Sequence, residues 1–338
     1  MNWSKGFSAS YILTTVDAAT WTDRQEFEFT DGNIDRDSTS DLKESASITM
    51  TQKITDRECW VRIYLQATQG GGSVKVPLFT GLTAFPERKL DGVRETYTID
   101  CYSVLKPADD IILPRGYYAP AGSGAKQIKS LLDCIPAPVT IEGTSPITTD
   151  AIVAEDGETR LTMVLSLLDA INWRLRISGD GSVVICAKDD NSRLAAGINT
   201  NDILECDVTD AFDWYDTPNC FMAISDDYGA AVARDDSADS KLSTVNRGRE
   251  VWQSETGVEL SAGENIAAYA VRKLKELQQP ARTLQYTRRF FDDVLLGDVV
   301  ALNYPRHDLV GNFRITSQSL TLGHGCQVKE EVEEICTN

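Results

Sequence analysis

Between Ala281 and Leu322, three runs rich in β-branched, aromatic and leucine residues are cut apart by turn residues, and that spacing leaves few folds open. The first run is Ala281 to Phe290. The second is carried by Val299, Ala301 and Asn303 after the turn Leu296-Gly297-Asp298. In the third, Phe313, Ile315, Ser317 and Ser319 fall on one side, and Arg314, Thr316, Gln318 and Leu320 on the other. A period of two is that of a half-buried antiparallel strand, because successive side chains leave a strand on opposite faces. The stretch therefore predicts a meander in a small barrel or sandwich.

The first hundred residues carry the same period. In Cys59–Thr68, Trp60, Arg62, Tyr64 and Gln66 alternate with Val61, Ile63, Leu65 and Ala67. Further strand-like runs are Ser10–Val16, Glu26–Thr30, Ser45–Lys53, Val74–Pro86 and Glu95–Lys106. Gly70-Gly71-Gly72-Ser73 reads as a flexible hairpin tip and Leu90-Asp91-Gly92-Val93 as an Asp-Gly turn. An antiparallel barrel or sandwich of about 100 residues follows.

The middle changes period. After Ala121-Gly122-Ser123-Gly124, the residues Ile128, Leu131, Leu132 and Ile135 mark one helical face, stopped by Pro136. The glycines there lack the third glycine of a dinucleotide loop and the Gly-Lys-Ser/Thr of a P-loop, so they read as a helix start. Leu161, Val164, Leu165, Leu168 and Ile171 stripe a second helix over Glu158–Asn172, widened by Met163 and Leu167. A hairpin follows, from Trp173 through Gly179-Asp180-Gly181 to Lys188. Later, Ser261 to Glu264 has the form of a capping box. It opens a helix striped by Ile266, Ala267, Ala270, Val271, Leu274 and Leu277 and ended by Pro280, with Arg272, Lys273 and Lys275 towards its negative end.

Charge narrows the function. With 51 acidic and 33 basic residues the formal charge is -18, which argues against a nucleic-acid-binding face or attraction to an anionic membrane. No apolar run has the length of a spanning helix or a signal-peptide core, so membrane insertion is not expected and synthesis in a cytosol is. The eight cysteines form no Cys-x-x-Cys pair and are expected as free, mostly buried thiols. The two histidines, His307 and His324, have no partner at metal-site spacing, and no cofactor is implied. A serine triad or zinc peptidase has too little histidine to work with, and no Gly-x-Ser-x-Gly elbow is present. Carboxylates suited to a glycosidase are so abundant that they discriminate nothing. A non-enzymatic role is expected.

Two acidic segments remain. Asp31 to Glu44 has oxygen donors at alternate positions, as calcium loops do. However, Arg36 stands where a tight turn needs glycine, and Leu42 where a bidentate glutamate is needed. The expectation is a solvated loop, with Asp35, Asp37 and Asp41 reaching a neighbouring subunit. From Asp202 to Asp239 there are eleven acidic residues and one basic, Arg234, a local charge of -10. This is either a solvated surface or an anionic wall that keeps passing DNA from sticking. In the second reading Asp202, Asp207, Asp210, Asp213, Asp226 and Asp227 line a channel.

The run Leu296-Gly297-Asp298-Val299-Val300, Tyr304-Pro305, then Gly311, Phe313-Arg314-Ile315, Ser317-Gln318-Ser319-Leu320, resembles the closing domain of phage tail-tip (baseplate) hub proteins. These are the late control protein D-like hubs, related to the hub part of type VI secretion spikes. Leu167-Leu-Asp-Ala-Ile-Asn-Trp-Arg174 before a hairpin is similar to the same family, and the order of elements extends the resemblance over nearly the whole chain. It implies a mainly β fold with an α+β insert: two antiparallel tube-like barrel or sandwich domains, 1–108 and 201–338, around a middle region 109–200. In such hubs the late helix packs across the second barrel.

It further implies a homotrimeric ring with a pseudo-six-fold surface in the virion tail tip, assembled in the host cytoplasm. The ring would join a hexameric tail tube protein and a distal tail or baseplate ring protein to a spike or central fibre protein, with genomic DNA passing only in transit. A tail adhesin is the alternative, and a cell-wall hydrolase a more remote one. The chain stops about 16 residues after Leu322, so an adaptor without a further domain is expected. Glu330, Glu331 and Glu333 would lie in a solvated, partner-contacting tail whose removal spares folding.

Overall fold

The computed structural model describes the chain except residues 56, 149–150, 189–193, 205–207, 212–214, 261–263, 279–281 and 336–338. The fold is mainly β, with a few short helices and a small α+β insert. Eight strands fill the first hundred residues: β1 (Ser8–Val16), β2 (Asp23–Phe27), β3 (Asp31–Asp37), β4 (Glu44–Met50), β5 (Trp60–Gln69), β6 (Gly72–Thr83), β7 (Glu87–Asp91) and β8 (Arg94–Ser103). The alternation in β5 places its faces as expected. Val61, Ile63, Leu65 and Ala67 are all fully buried, and truncating Ile63 or Leu65 to alanine costs about 2–5 kcal/mol. The tip between β5 and β6 is a tight two-residue turn, with Gln69 opposite Gly72. Gly70 and Gly71 both have positive φ, which other residues adopt only with strain.

The N- and C-terminal halves share one 14-stranded sheet. Its order runs Thr209–Ala211, Thr283–Arg288, Gln327–Glu334, Leu309–Thr321, then β3, β4, β8, β6, β5, β1 and β2. The pairings along it are antiparallel, but Leu194–Asn199 joins Val299–Tyr304 in parallel. Two polar segments differ from expectation. Asp31–Asp37 is not a loop: it is β3, paired with β4 on one side and with Ser317–Thr321 on the other. Gln327–Glu334 is not a solvated tail: it is a strand between Thr283–Arg288 and Leu309–Thr321, with Val328 and Val332 in the core. Both hide polar side chains behind backbone pairing that period counting does not detect.

The long strand Leu309–Thr321 serves two cores by changing face. Ile315 pairs with Val332 and Ser317 with Glu331, so Thr316 is an extra residue in a bulge. Before the bulge, Phe313 and Ile315 enter a core with Leu284, Tyr286, Val300 and Val332. Beyond it, Leu320 enters the core of β1 to β8 with Leu13, Ile34, Ile63 and Phe79. Uninterrupted alternation would have sent Ser317 and Ser319 inward instead.

The middle has its own core, where α1 (Lys106–Asp110), α2 (Gly124–Leu131) and α3 (Arg160–Ala170) pack on the hairpin Trp173–Ile177/Val183–Ala187. The Thr159 hydroxyl caps α3 by accepting from the Thr162 amide at 3.1 Å. A fourth core lies under α5 (Ile266–Gln278), beyond the single turn α4 (Thr244–Arg247). Here α5 covers a separate three-stranded sheet, Gly229–Arg234, Cys220–Ser225 and Trp252–Thr256, rather than the shared one. Its cap is Asn265, which accepts from the Ala268 amide at 2.8 Å. Most of the expected capping box, 261–263, lies outside the described residues. The buried stripe is Tyr269, Ala270 and Leu274, while Val271 is half exposed.

Candidate assembly site

The middle hairpin bridges the N- and C-terminal halves of the shared sheet. Its tip, Gly179 to Gly181, docks on the N-terminal half. Arg62 donates to the Asp180 carbonyl at 3.0 Å, to Asp23 at 2.8 Å and to Thr80 at 2.9 Å, and the Trp21 indole donates to the same Asp180 carbonyl at 2.9 Å. A Cβ on Gly179 would overlap the Pro77 carbonyl, so only glycine allows this approach. At the other end, Arg174 donates to the Leu296 carbonyl at 3.0 Å and to Asp298 at 3.3 Å. Arg176 reaches Asp298 at 3.2 Å and Asp293 at 3.0 Å. The Leu296-Gly297-Asp298 turn is thus a docking device, with two arginines converging on one nearly buried carboxylate.

Where β3 meets the long strand, a polar chain runs through the sheet. The Arg36 guanidinium pairs with Glu44 at 3.4 Å, donates to Gln318 at 3.1 Å and donates to the Leu78 carbonyl. Gln318 donates to Glu330 at 2.7 Å and to the Val294 carbonyl at 3.1 Å. Glu330 accepts from Arg288 at 2.8 Å and from the Tyr286 hydroxyl at 2.9 Å. All of these side chains are essentially buried. Burial pushes the Glu44 carboxyl up to about 7 despite Arg36 beside it, and its Oε1 has no partner among the described residues.

The acidic residues singled out from the sequence do not form one surface. Asp202 is buried at the end of the 3-10 turn Thr200–Asp202, where it accepts from the Asn199 amide at 3.0 Å and lies 3.4 Å from Arg289. Asp210 is clamped by both ends of the Arg282 guanidinium at 2.9 Å. Asp226 and Asp227 are exposed at the turn between Cys220–Ser225 and Gly229–Arg234. Asp207 and Asp213 lie outside the described residues.

Of the expected contact residues, Asp35 accepts from Ser319 at 2.6 Å. Asp37 folds back on the Thr39 amide and hydroxyl, which hold its carboxyl below the usual range. Asp41 is exposed, Glu331 accepts from Gln285 at 2.7 Å, and burial raises the Glu333 carboxyl. Glu330 faces no solvent and is held by Arg288 inside the chain.

The residues sequence reasoning missed are Arg36, Arg174, Arg176, Arg288 and Gln318. Arginines alternating with apolar residues in Trp173–Ile177 are the one local signal, since they face away from the middle core. Four of the six described cysteines are buried and all six are free thiols; Cys206 and Cys336 lie outside the described residues. Among the described residues no group of three or more histidine, cysteine, aspartate or glutamate side chains could hold a metal ion, and no helix is long and apolar enough to cross a membrane.

This architecture is that of phage tail proteins. The chain is similar to the tail protein from Neisseria meningitidis MC58, with a TM-score of 0.67 at 14% identity over 98% of this chain and 97% of that one. It is equally similar to the 43 kDa tail protein of prophage MuSo2 from Shewanella oneidensis, with a TM-score of 0.68 at 14% identity over 97% and 98%. The Francisella PdpA-VgrG complex shares the fold at a TM-score of 0.57 and 8% identity, over 98% of this chain and 58% of that one. Neither a protein-family model nor a curated protein matches the sequence. The mainly β fold that the resemblance implied is shared with these tail proteins, at an identity where backbone course is common and few side chains are.

Proposed function

We propose that this chain is a structural hub of a phage or phage-derived tail tip, working as a ring of three copies and not as an enzyme. The observation that carries the proposal is the shared sheet: it runs through both halves of the chain, and among the described residues it has edge strands without an outer partner at β2 and at Thr209–Ala211. Both outer strands are short and almost wholly exposed. Unpaired edges invite pairing with a neighbouring subunit, and a closed ring removes them. Full-length likeness to tail proteins supports the same reading.

In this reading two sheet lobes per chain and three chains give a pseudo-six-fold face. That face fits a hexameric tail tube and a distal ring on one side and a spike or central fibre on the other, in the virion, after assembly in the host cytoplasm. DNA passes through on ejection, and in this reading the exposed Asp226 and Asp227 face its path. Native mass measurement of the purified protein tests the ring. A trimer, alone or on mixing with tail tube protein, is expected; a monomer at tens of micromolar that stays monomeric in that mixture overturns the proposal. Peptidoglycan breakdown by the purified protein would overturn the non-enzymatic part.

A further inference from the structure

Among the described residues, the three-stranded sheet under α5 has an open edge at Gly229–Arg234. This strand reads Gly-Ala-Ala-Val-Ala-Arg and pairs with Cys220–Ser225 in unbroken register, without a bulge. Outside the two edges assigned to the ring, every other free edge of more than three residues is guarded. β7 is charged at four of its five positions, Trp173–Ile177 carries Arg174 and Arg176, and Trp252–Thr256 carries Glu255. Leu194–Asn199 is bulged. Charges and bulges of this kind keep a strand from joining a foreign edge. Gly229–Arg234 has neither before its last residue.

The neighbouring strands fix where its backbone groups point. The Cys220 amide donates to the Val251 carbonyl at 3.1 Å, and the Ile224 carbonyl accepts from the Val258 amide at 3.0 Å. Cys220, Met222 and Ile224 therefore turn their backbone groups towards Trp252–Thr256. Phe221, Ala223 and Ser225 turn theirs towards their partners Ala233, Ala231 and Gly229, because direction alternates along a strand. That leaves the N–H and C=O of Ala230 and Val232 aimed at the free edge, and no strand among the described residues takes them up. Both residues are exposed, Val232 at 52%. On the face that α5 leaves uncovered, Met222 and Ile224 lie half-buried beside them, so the edge adjoins an apolar strip. The flanks are acidic. From Asp226 to Asp236 there are four acidic residues and one basic, and Arg234 is already engaged by Asp236 at 2.9 Å and Glu250 at 2.7 Å.

We propose that this edge takes up an extended segment of a different protein as a fourth strand, apolar beside Val232 and basic at its ends. Free backbone groups two residues apart are matched by another extended chain, and the apolar strip receives its alternate side chains. The acidic flanks favour lysine or arginine at the ends of that segment and repel carboxylates. Pairing with the same edge of a second copy would set acidic flanks against one another, so the partner is not this edge again. This inference goes beyond the hub reading and does not depend on a ring forming.

A fluorescence anisotropy titration tests this, using the purified protein and the fluorescein-labelled peptide Lys-Thr-Val-Thr-Val-Thr-Lys. Saturable binding is expected, at least about tenfold tighter than for the same peptide with glutamate in place of both lysines. Val232→Pro separates the edge from the rest of the sheet. The Val232 N–H points outward, so proline breaks no bond of the existing ladder but withdraws a donor from the edge. This variant should bind at least about tenfold more weakly while keeping the parent's circular dichroism. If it does not fold, Val232→Lys takes its place, since a charge at this exposed position guards the edge, with a loss of at least about threefold expected. Absence of saturable binding by the unaltered protein, equal binding of the two peptides, or unchanged binding by a folded variant overturns the assignment. Loss of a native trimer in folded Val232→Pro would give the edge to a second copy and overturn it as well. The native mass of the unaltered protein is read separately, so failure of peptide binding leaves the hub proposal standing, and the reverse.

Discussion

Arg288 and Glu330 face each other across neighbouring strands, 42 residues apart in sequence, with side-chain exposures of 1% and 0%. The pair is joined by Gln318 to Arg36 and so ties the last strand of the chain to β3 near its start. A buried pair of this kind adds little net stability over apolar residues of the same shape, because both charges leave water. It does hold register, since a one-residue slip would strand two charges.

Glu330→Ala is therefore expected to destabilise strongly, by about 3–5 kcal/mol, because Arg288 remains buried without its counter-ion. Replacing both, as Arg288→Met with Glu330→Leu, should recover most of that loss. Urea unfolding followed by tryptophan fluorescence measures both variants. If Glu330→Ala unfolds at the same midpoint as the parent, the pair is not buried as described.

Glu44 predicts a pH dependence. Its carboxyl is raised to about 7 by burial, above the ordinary value of 4.5, so the folded chain binds this proton more tightly than the unfolded one. The associated stability is present in full below the ordinary value and is lost as pH rises through about 7. Between pH 6 and pH 8 the parent should lose about 1 kcal/mol that Glu44→Gln does not lose. Parallel unfolding curves for the two proteins across that range would count against it.

Gly297 has φ of +76°, and a Cβ there would stand 2.5 Å from the Arg174 Nη1. Gly297→Ala should cost about 1–3 kcal/mol through backbone strain and displacement of Arg174. Limited proteolysis should then cut the middle region sooner, since the hairpin loses one of its two docking points. Equal cleavage rates would mean that the docking does not depend on this contact.

Asp226→Lys with Asp227→Lys alters only exposed side chains, so stability should stay within about 0.5 kcal/mol. In assembled particles the same change should slow DNA ejection, because lysines hold phosphates that aspartates repel. Ejection at the parent rate would leave this turn as plain solvated surface.

Removal of residues 329–338 is now expected to prevent folding rather than spare it. The cut takes Glu330 away from Arg288 and Val332 out of the second core. Circular dichroism of the shortened chain decides this, and a native-like spectrum with a cooperative melt would contradict it.

Elements whose burial follows a simple period were legible in the sequence. The inward face of β5, the stripe of α3 and the hairpin after Trp173 all fell where the pattern put them, because apolar residues recurring every second or every third-to-fourth position can bury only one face. The Leu296-Gly297-Asp298 turn was legible as a turn, but its task of receiving Arg174 and Arg176 was not, since those arginines lie more than a hundred residues away. Along Leu309–Thr321, alternation gave the right faces only as far as Ile315, where the bulge at Thr316 reverses them.

The sequence by itself determined that this chain builds β-sheet lobes around a small helical insert, since local periodicity and turn chemistry depend on neighbours in the chain. Tertiary structure alone decided that Asp31–Asp37 and Gln327–Glu334 are interior strands of a common sheet, and which charges are hidden there. A carboxylate reads as solvated until its arginine is known. Arg288 comes to Glu330, and Gln318 to Arg36, only when distant strands pair, so the burial of these polar groups is a property of the folded sheet and not of any window of sequence.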